Sequence, residues 1–188
     1  MTIHNDNNIK AVEYFTQAYS ERLQSMCESL KGLHVYCVDI DRDNIPDEFF
    51  LCKKKDFYSP YSTKEVKEKR YIFRSTEVCA SYSLEEEIAL IAHEFGHIIL
   101  EAANIKLWYR IMDEIFCDNL AHSLDLSDHI ITALDTMSKG GYDNDSEIAD
   151  RKMIAESVKA CKDNISPSDP MGTLNGFLNS AVSCKKGF

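Results

Sequence analysis

The chain has 188 residues, of which 44% are hydrophobic and 28% are charged, and its formal net charge at pH 7 is −10. This length and composition are typical of one globular domain that buries its own core. The excess of acidic residues argues against nucleic acid as a ligand, because binding to phosphates needs a basic surface. We expect a domain over residues 1–165 and a C-terminal extension over residues 166–188, whose proline, glycine, serine and asparagine content indicates partial disorder.

The sequence contains no recognisable signal peptide or membrane-spanning segment. Its first residues lack the basic start and the apolar core of a signal peptide, and no apolar run approaches the roughly 18 residues of a membrane span. The seven cysteines are an odd number, widely spaced and without a Cys-x-x-Cys pair, which is typical of free thiols in a reducing compartment. We therefore expect a cytoplasmic protein that neither spans nor binds a membrane.

The first predicted elements are a helix and a small sheet. Apolar side chains that recur every three or four positions predict an amphipathic helix over residues 8–31. Short runs of aromatic and β-branched residues then predict three strands, at Leu33–Ile40, Glu48–Cys52 and Tyr71–Glu77. The polar piece Lys53–Lys69 is interpreted as a loop with some helix.

Four helices are predicted in the rest of the chain. The first begins at a capping box formed by Ser83 and Glu86, carries an apolar stripe at spacings of three and four, and ends at Asn104. The others are predicted over residues 107–124, 127–139 and 145–162. The expected fold class is therefore α+β, with an N-terminal helix, a small three-stranded sheet, two helices that carry the motifs described next, and a helical C-terminal part.

The helix after the capping box contains His93-Glu94-Phe95-Gly96-His97. Two histidines four positions apart project from one face of a helix, and both imidazoles can reach one zinc ion at about 2.0–2.1 Å. In this pattern Glu94 faces the water on the metal rather than the metal, and it is the candidate general base. The alternative is a chance pair of ordinary histidines, which the placement on a strongly predicted helix disfavours.

A catalytic zinc ion needs a third protein ligand and one open position, and the candidate ligand is Glu114 on the following helix. The distance from His97 is long enough for the chain to end one helix and return along an antiparallel one. Asp118, one turn beyond Glu114, can accept the second N–H of a ligating histidine. Glu114 could also be an ordinary acid on a solvated helix face. Glu147 is a rival ligand, and Cys117 could offer a thiolate, although such a cysteine is more often a small buried hydrophobe.

A helix with His-Glu-x-x-His, followed by a helix with Glu-x-x-x-Asp, resembles the gluzincin metallopeptidases. Together with the preceding helix and short strands, residues 10–125 resemble most the ImmA/IrrE family of bacterial and phage peptidases. In that family the second motif continues with Ala-Asn or Ala-Asp and a small residue, and Cys117-Asp118 and Ala121 occupy these places here. The resemblance implies a zincin-like fold and a protein substrate, for which an intracellular DNA-binding repressor is the family-based candidate.

We predict a zinc-dependent endopeptidase with one Zn²⁺ per chain, in which Glu94 takes the proton of a metal-activated water. An edge strand of the sheet would hold the peptide substrate extended by strand addition. Two alternatives stay open: a non-catalytic zincin-like module that binds a partner protein, and a host-directed toxin peptidase. Tyr58, Tyr61 and Tyr109 are candidates for a hydrogen-bond donor to the transition state, and the sequence does not distinguish between them.

Alternating acidic residues near the second predicted strand resemble a calcium loop. The carboxylates that would converge on the ion are Asp39, Asp41, Asp43 and Asp47. Asn44 stands where an EF-hand has its glycine, so a solvated acidic hairpin turn is the favoured interpretation of this segment.

Overall fold

A computed structural model of the chain describes residues 1–49, 59–107, 109–140 and 145–162. Its elements in chain order are β1 (Thr2–His4), α1 (Lys10–Met26), β2 (His34–Ile40), β3 (Tyr61–Val66), β4 (Lys69–Ser75), α2 (Thr76–Cys79), α3 (Leu84–Ala102), α4 (Arg110–Ser123), α5 (Ser127–Lys139) and α6 (Asp145–Lys162), with short 3-10 turns at Glu28–Leu30 and Asp47–Phe49. The α+β class expected from the sequence is confirmed. The predicted extension over residues 166–188 lies outside the described residues.

The described strands form one mixed sheet of four strands in the order β1-β2-β4-β3, so the prediction of three strands is wrong. β1, β2 and β4 are parallel, whereas β3 is antiparallel to β4 and forms an edge of the sheet. β2 lies where Leu33–Ile40 predicted a strand. β4 begins before the predicted Tyr71–Glu77 and ends at Ser75, because the chain there turns into α2.

Two predictions between β2 and β4 need correction. β3 lies inside Lys53–Lys69, for which a loop with some helix was predicted. The strand was missed because its side chains are polar and it is specified by its pairing with β4. The start of the predicted strand Glu48–Cys52 is a 3-10 turn instead, and Phe49 packs edge-on against Phe73 at a centroid distance of 4.8 Å. The rest of that predicted strand, together with Tyr58, lies outside the described residues.

α3 is the central helix of the molecule. Its capping box is present as predicted: Ser83 Oγ accepts from the backbone N–H of Glu86, and the Glu86 carboxylate accepts from the backbone N–H of Ser83. Most residues of α3 are buried, since α1, α4, α5 and the strand β3 pack against it. Phe15 of α1 stacks on Phe95 of α3 at a centroid distance of 5.2 Å. The helix ends before Asn104, which adopts a left-handed conformation with φ of 52°.

The last three predicted helices are present as α4, α5 and α6. α6 packs against α4 and α5, and its residues Ile148 and Ala155, 4% and 2% exposed, join an apolar cluster with Leu134 of α5. Between them Arg151 is also buried, whereas Met153 is 59% exposed. None of the helices in the described ranges is long and apolar enough to cross a lipid bilayer.

Candidate metal centre

α3 and α4 approach each other closely at Gly96. A Cβ atom at this position would lie 2.6 Å from Cα and 2.7 Å from Sγ of Cys117. Ordinary contacts between carbon atoms lie at about 3.5–4.0 Å, so only the absence of a side chain at Gly96 permits this approach. The contact brings His93 and His97 of α3 opposite Glu114 of α4.

The polar side-chain atoms of the two histidines and of Glu114 lie close together. Glu114 Oε2 lies 3.3 Å from Nε2 of His93, and Glu114 Oε1 lies 3.7 Å from Nε2 of His97. The centroids of the two imidazole rings are 5.0 Å apart. Two ligands bound tetrahedrally to one zinc ion at about 2.0–2.1 Å are themselves about 3.3 Å apart. The two Glu114 distances run from different oxygen atoms, and each lies within about 0.4 Å of that separation.

Cys117 adds a sulfur atom to the same centre. One ligand atom each of His93, His97 and Cys117 lies within 4.8 Å of the others, so this buried cluster could hold a metal ion. Burial raises the pKa of the Cys117 thiol well above its ordinary value. Burial alone would also raise the pKa of Glu114, but His93 and Arg151 lower it to about 2. Glu114 thus presents an anion to the centre without a metal, whereas Cys117 presents a neutral thiol.

Asp118 binds the ring nitrogen of His93 that does not face Glu114. Its Oδ1 atom accepts a hydrogen bond from Nδ1 of His93 at 2.8 Å, which leaves Nε2 directed at Glu114. Burial alone would lower the pKa of His93, but Asp118 and Glu114 raise it to about 9. Burial and the charge on His93 lower the pKa of His97. His93 therefore holds a proton that a metal ion would displace on binding.

Arg151 of α6 also belongs to the centre, although it was not among the residues predicted from the sequence. Its Nε and Nη2 atoms donate to Oδ2 and Oδ1 of Asp118, each at 2.9 Å, and its Nη1 atom lies 2.9 Å from Glu114 Oε2. A signal was present in the sequence, since Arg151 falls three positions after Ile148 and four before Ala155. A charged residue in the inward stripe of a helix needs a buried partner of opposite charge.

Glu94 lies beside the histidines and is 6% exposed. The hydroxyl of Thr63, on β3, donates a hydrogen bond to Glu94 Oε2 at 2.6 Å. Two turns earlier on α3, Glu87 accepts hydrogen bonds from the hydroxyl of Tyr61 at 2.6 Å and from Nε of Arg74 at 2.6 Å. β3 is therefore tied to α3 at two points. No sequence signal pointed to Thr63, because β3 itself was not predicted.

A cleft of about 1290 Å³ runs over the centre. Residues 59–65, which include most of the edge strand β3, line one wall of the cleft, and its lining also includes His93, Glu94, His97, Glu114 and Arg151. Glu147 of α6, the rival third ligand, also lines the cleft, with Oε1 3.9 Å from Nη2 of Arg110. The catalytic candidates and the edge strand thus share one open space.

The remaining candidate residues are placed elsewhere or engaged by other groups. Tyr61 lines the cleft, but its hydroxyl donates to Glu87, and Tyr109 is 72% exposed. In the acidic segment, Asp39 pairs with Arg74 at 3.2 Å and Asp41 Oδ1 accepts from the backbone N–H of Asp43 at 2.9 Å. These contacts describe a local turn rather than carboxylates aimed at a common point.

Comparisons of the chain with protein-family models, with curated proteins and with solved structures found no match. The resemblance to the ImmA/IrrE family accordingly stays a prediction based on two helical motifs. Among the described residues, His93, His97 and Cys117 could hold one metal ion, and the carboxylate of Glu114 lies 3.3 Å from Nε2 of His93 and 3.7 Å from Nε2 of His97.

Proposed function

We propose that the chain is a zinc-dependent endopeptidase with a zincin-like fold, in which His93, His97 and Glu114 bind the ion. The observation that carries this proposal is the position of Glu114, whose two carboxylate oxygens face Nε2 of both histidines. A chance occurrence of the histidine pattern would give no reason for a second helix to bring a carboxylate that is only 13% exposed to both rings. Asp118 on the far nitrogen of His93 adds the partner that metal-binding histidines usually have.

We favour Glu114 over Cys117 as the third ligand. The Cys117 side chain lies against the backbone of α3 at Gly96, where a small side chain is needed for the helices to pack. Glu114 is ionised and directed at both imidazoles, as an oxygen ligand of zinc should be. Two histidines and a glutamate are also a known ligand set of hydrolytic zinc sites, which keep one position open for water.

The residues of the chain can divide the chemistry of peptide hydrolysis between them. A zinc ion in this centre would supply a water of lowered pKa and polarise the scissile carbonyl group. Glu94 would accept the proton of the attacking water and deliver it to the leaving amine. Thr63 fixes one oxygen of the Glu94 carboxylate, so that the other oxygen can face the water.

The cleft suggests an extended polypeptide as the substrate. β3 is an edge strand that lines the cleft, and a peptide can add to such an edge through main-chain hydrogen bonds. A flexible segment of an intracellular protein suits this arrangement, and a DNA-binding repressor remains the family-based candidate. The described cysteines, Cys27, Cys37, Cys79 and Cys117, are free, which supports the cytoplasm as the compartment.

The experiment that tests the proposal replaces Glu94 by glutamine. Glu94→Gln keeps the volume of the side chain and leaves all three proposed ligands, so zinc content and melting temperature should equal those of the wild type. Cleavage of an extended peptide library or of a repressor should fall by about 10²–10⁴-fold, because the general base is lost. Glu85→Gln is the matched control, since it makes the same change at an exposed position of the same helix.

Two outcomes would contradict the proposal. If wild type and Glu94→Gln cleave a true substrate at equal rates, Glu94 has no part in the reaction. If neither variant cleaves any candidate, yet both bind a partner protein tightly, the chain is a non-catalytic zincin-like binding module.

A further inference from the structure

The least expected member of the centre is a buried cation from a third helix. Arg151 is 6% exposed, and its guanidinium group contacts two carboxylates of α4 at once. The fork formed by Nε and Nη2 occupies both oxygens of Asp118, while Nη1 reaches one oxygen of Glu114. A planar guanidinium with five N–H donors can satisfy such an arrangement, and a lysine ammonium group cannot.

These contacts determine how both carboxylates face the histidines. With Oε2 bound to Arg151, Glu114 cannot rotate freely, and Oε1 remains directed at His97. With both oxygens bound to Arg151, Asp118 presents Oδ1 to Nδ1 of His93 in a fixed direction. One side chain thus sets the orientation of a proposed ligand and of the group behind another ligand.

We infer that Arg151 is the positioning residue of the metal centre, and that its docking from α6 gives Glu114 and Asp118 the orientation that zinc binding and turnover require. This inference rests on the proposed function. It means that the centre is built from three helices, α3, α4 and α6, although the sequence motifs occupy only the first two.

A different role for Arg151 would be to supply positive charge alone. Glu94 and Asp118 are buried acids and the side chain of Glu114 is 13% exposed, and Arg151 offsets part of the charge of Glu114 and Asp118. The two roles differ in what they demand of the side chain. Lysine at this position would keep the charge but lose the fork, so Arg151→Lys separates orientation from charge.

The test compares Arg151→Lys with the wild type and with Arg22→Lys. Arg22 forms an ion pair with Asp125 beyond the end of α4 and does not line the cleft, so it controls for the exchange itself. We expect Arg151→Lys to bind zinc 10–100-fold more weakly in a competition with a chelator, which is the usual effect of removing a partner of a metal ligand. At saturating zinc its kcat should fall while KM stays unchanged, and the visible spectrum of the cobalt-substituted protein should change.

Zinc affinity, kcat and cobalt spectrum within twofold of the wild type would overturn the inference. If Arg151→Lys lacks a cooperative melting transition, Arg151→Ala with added methylguanidinium decides, and restored zinc affinity is the expected result. No restoration, or failure of both variants to fold in excess zinc, overturns the inference, because Arg151 would then serve the fold and not the centre. Absence of zinc binding by the wild type would instead refute the proposed function, so the two failures are distinguishable.

Discussion

Replacement of Gly96 by alanine should damage both the stability of the fold and the affinity for zinc. The new Cβ atom would lie 2.6 Å from the Cα atom of Cys117, about 1 Å closer than an ordinary contact allows. Because the nearest atom belongs to the backbone, no rotamer change relieves the overlap, and α3 and α4 must separate. Overpacking of this kind costs about 1–3 kcal/mol, whereas the better helix propensity of alanine returns about 0.5–1 kcal/mol. A net loss of about 1–2 kcal/mol is expected.

The separation of α3 and α4 should have a larger effect on the affinity for zinc than on the stability of the fold. Ligand distances in a metal site tolerate only about 0.2 Å, so a displacement of Glu114 several times larger should weaken zinc binding at least tenfold. Thermal unfolding with a chelator measures the first effect, and a loss of about 1–2 kcal/mol corresponds to about 2–8 °C at this chain length. Competition with a chelator of known affinity measures the second.

The double variant Gly96→Ala, Cys117→Ala provides an internal check. The second substitution removes Sγ but not the Cα atom that makes the closest contact, so it should restore neither stability nor zinc affinity in full. The reasoning is refuted if Gly96→Ala alone melts no lower than the wild type and binds zinc equally well. The position of Glu114 would then not depend on the close approach of the two helices.

Two further predictions concern individual side chains of the centre. Glu114→Ala should lose zinc nearly as completely as the His93→Ala, His97→Ala double variant, whereas Cys117→Ala should retain it. Elemental analysis of protein purified without chelator measures the zinc content. Loss of zinc from Cys117→Ala and its retention by Glu114→Ala would instead make the thiolate the third ligand. Thr63→Val should leave zinc content unchanged but lower kcat by about tenfold to hundredfold, because a hydrogen bond to a charged group is worth about 1.5–3 kcal/mol; an unchanged kcat would show that Thr63 does not orient Glu94.

Five of the six described helices could be predicted from the sequence because their signals are local, whereas the short helix α2 was not predicted. The capping box at Ser83 and the apolar stripe of α3 lie within a few turns of each other, and neither depends on the rest of the fold. The same holds for α4, since the spacing of Glu114 and Asp118 already suggested one helix face directed at the histidines. The structure brings these residues together as the motif spacing suggested.

The edge strand and the buried arginine could not be found in this way, because both are specified by distant partners. β3 is a polar run whose pairing with β4 and whose contacts with α3 make it a strand. Arg151 is inward-facing because Asp118 and Glu114, on another helix, compensate its charge. The pattern of residues within α6 shows only that Arg151 is a charged residue at an inward-facing position, and it does not identify the partners of Arg151.

The two ties between β3 and α3 have a consequence for where a bound polypeptide would be cut. Tyr61 and Thr63 are two positions apart, so their hydroxyl groups leave the same face of the strand and meet Glu87 and Glu94. A slip of β3 by one residue would turn both hydroxyl groups away, and its register is therefore locked to the catalytic candidate. A polypeptide paired with this strand could shift only by two residues at a time without reversing its faces. Alternative cleavage positions in one extended segment would then be separated by even numbers of residues.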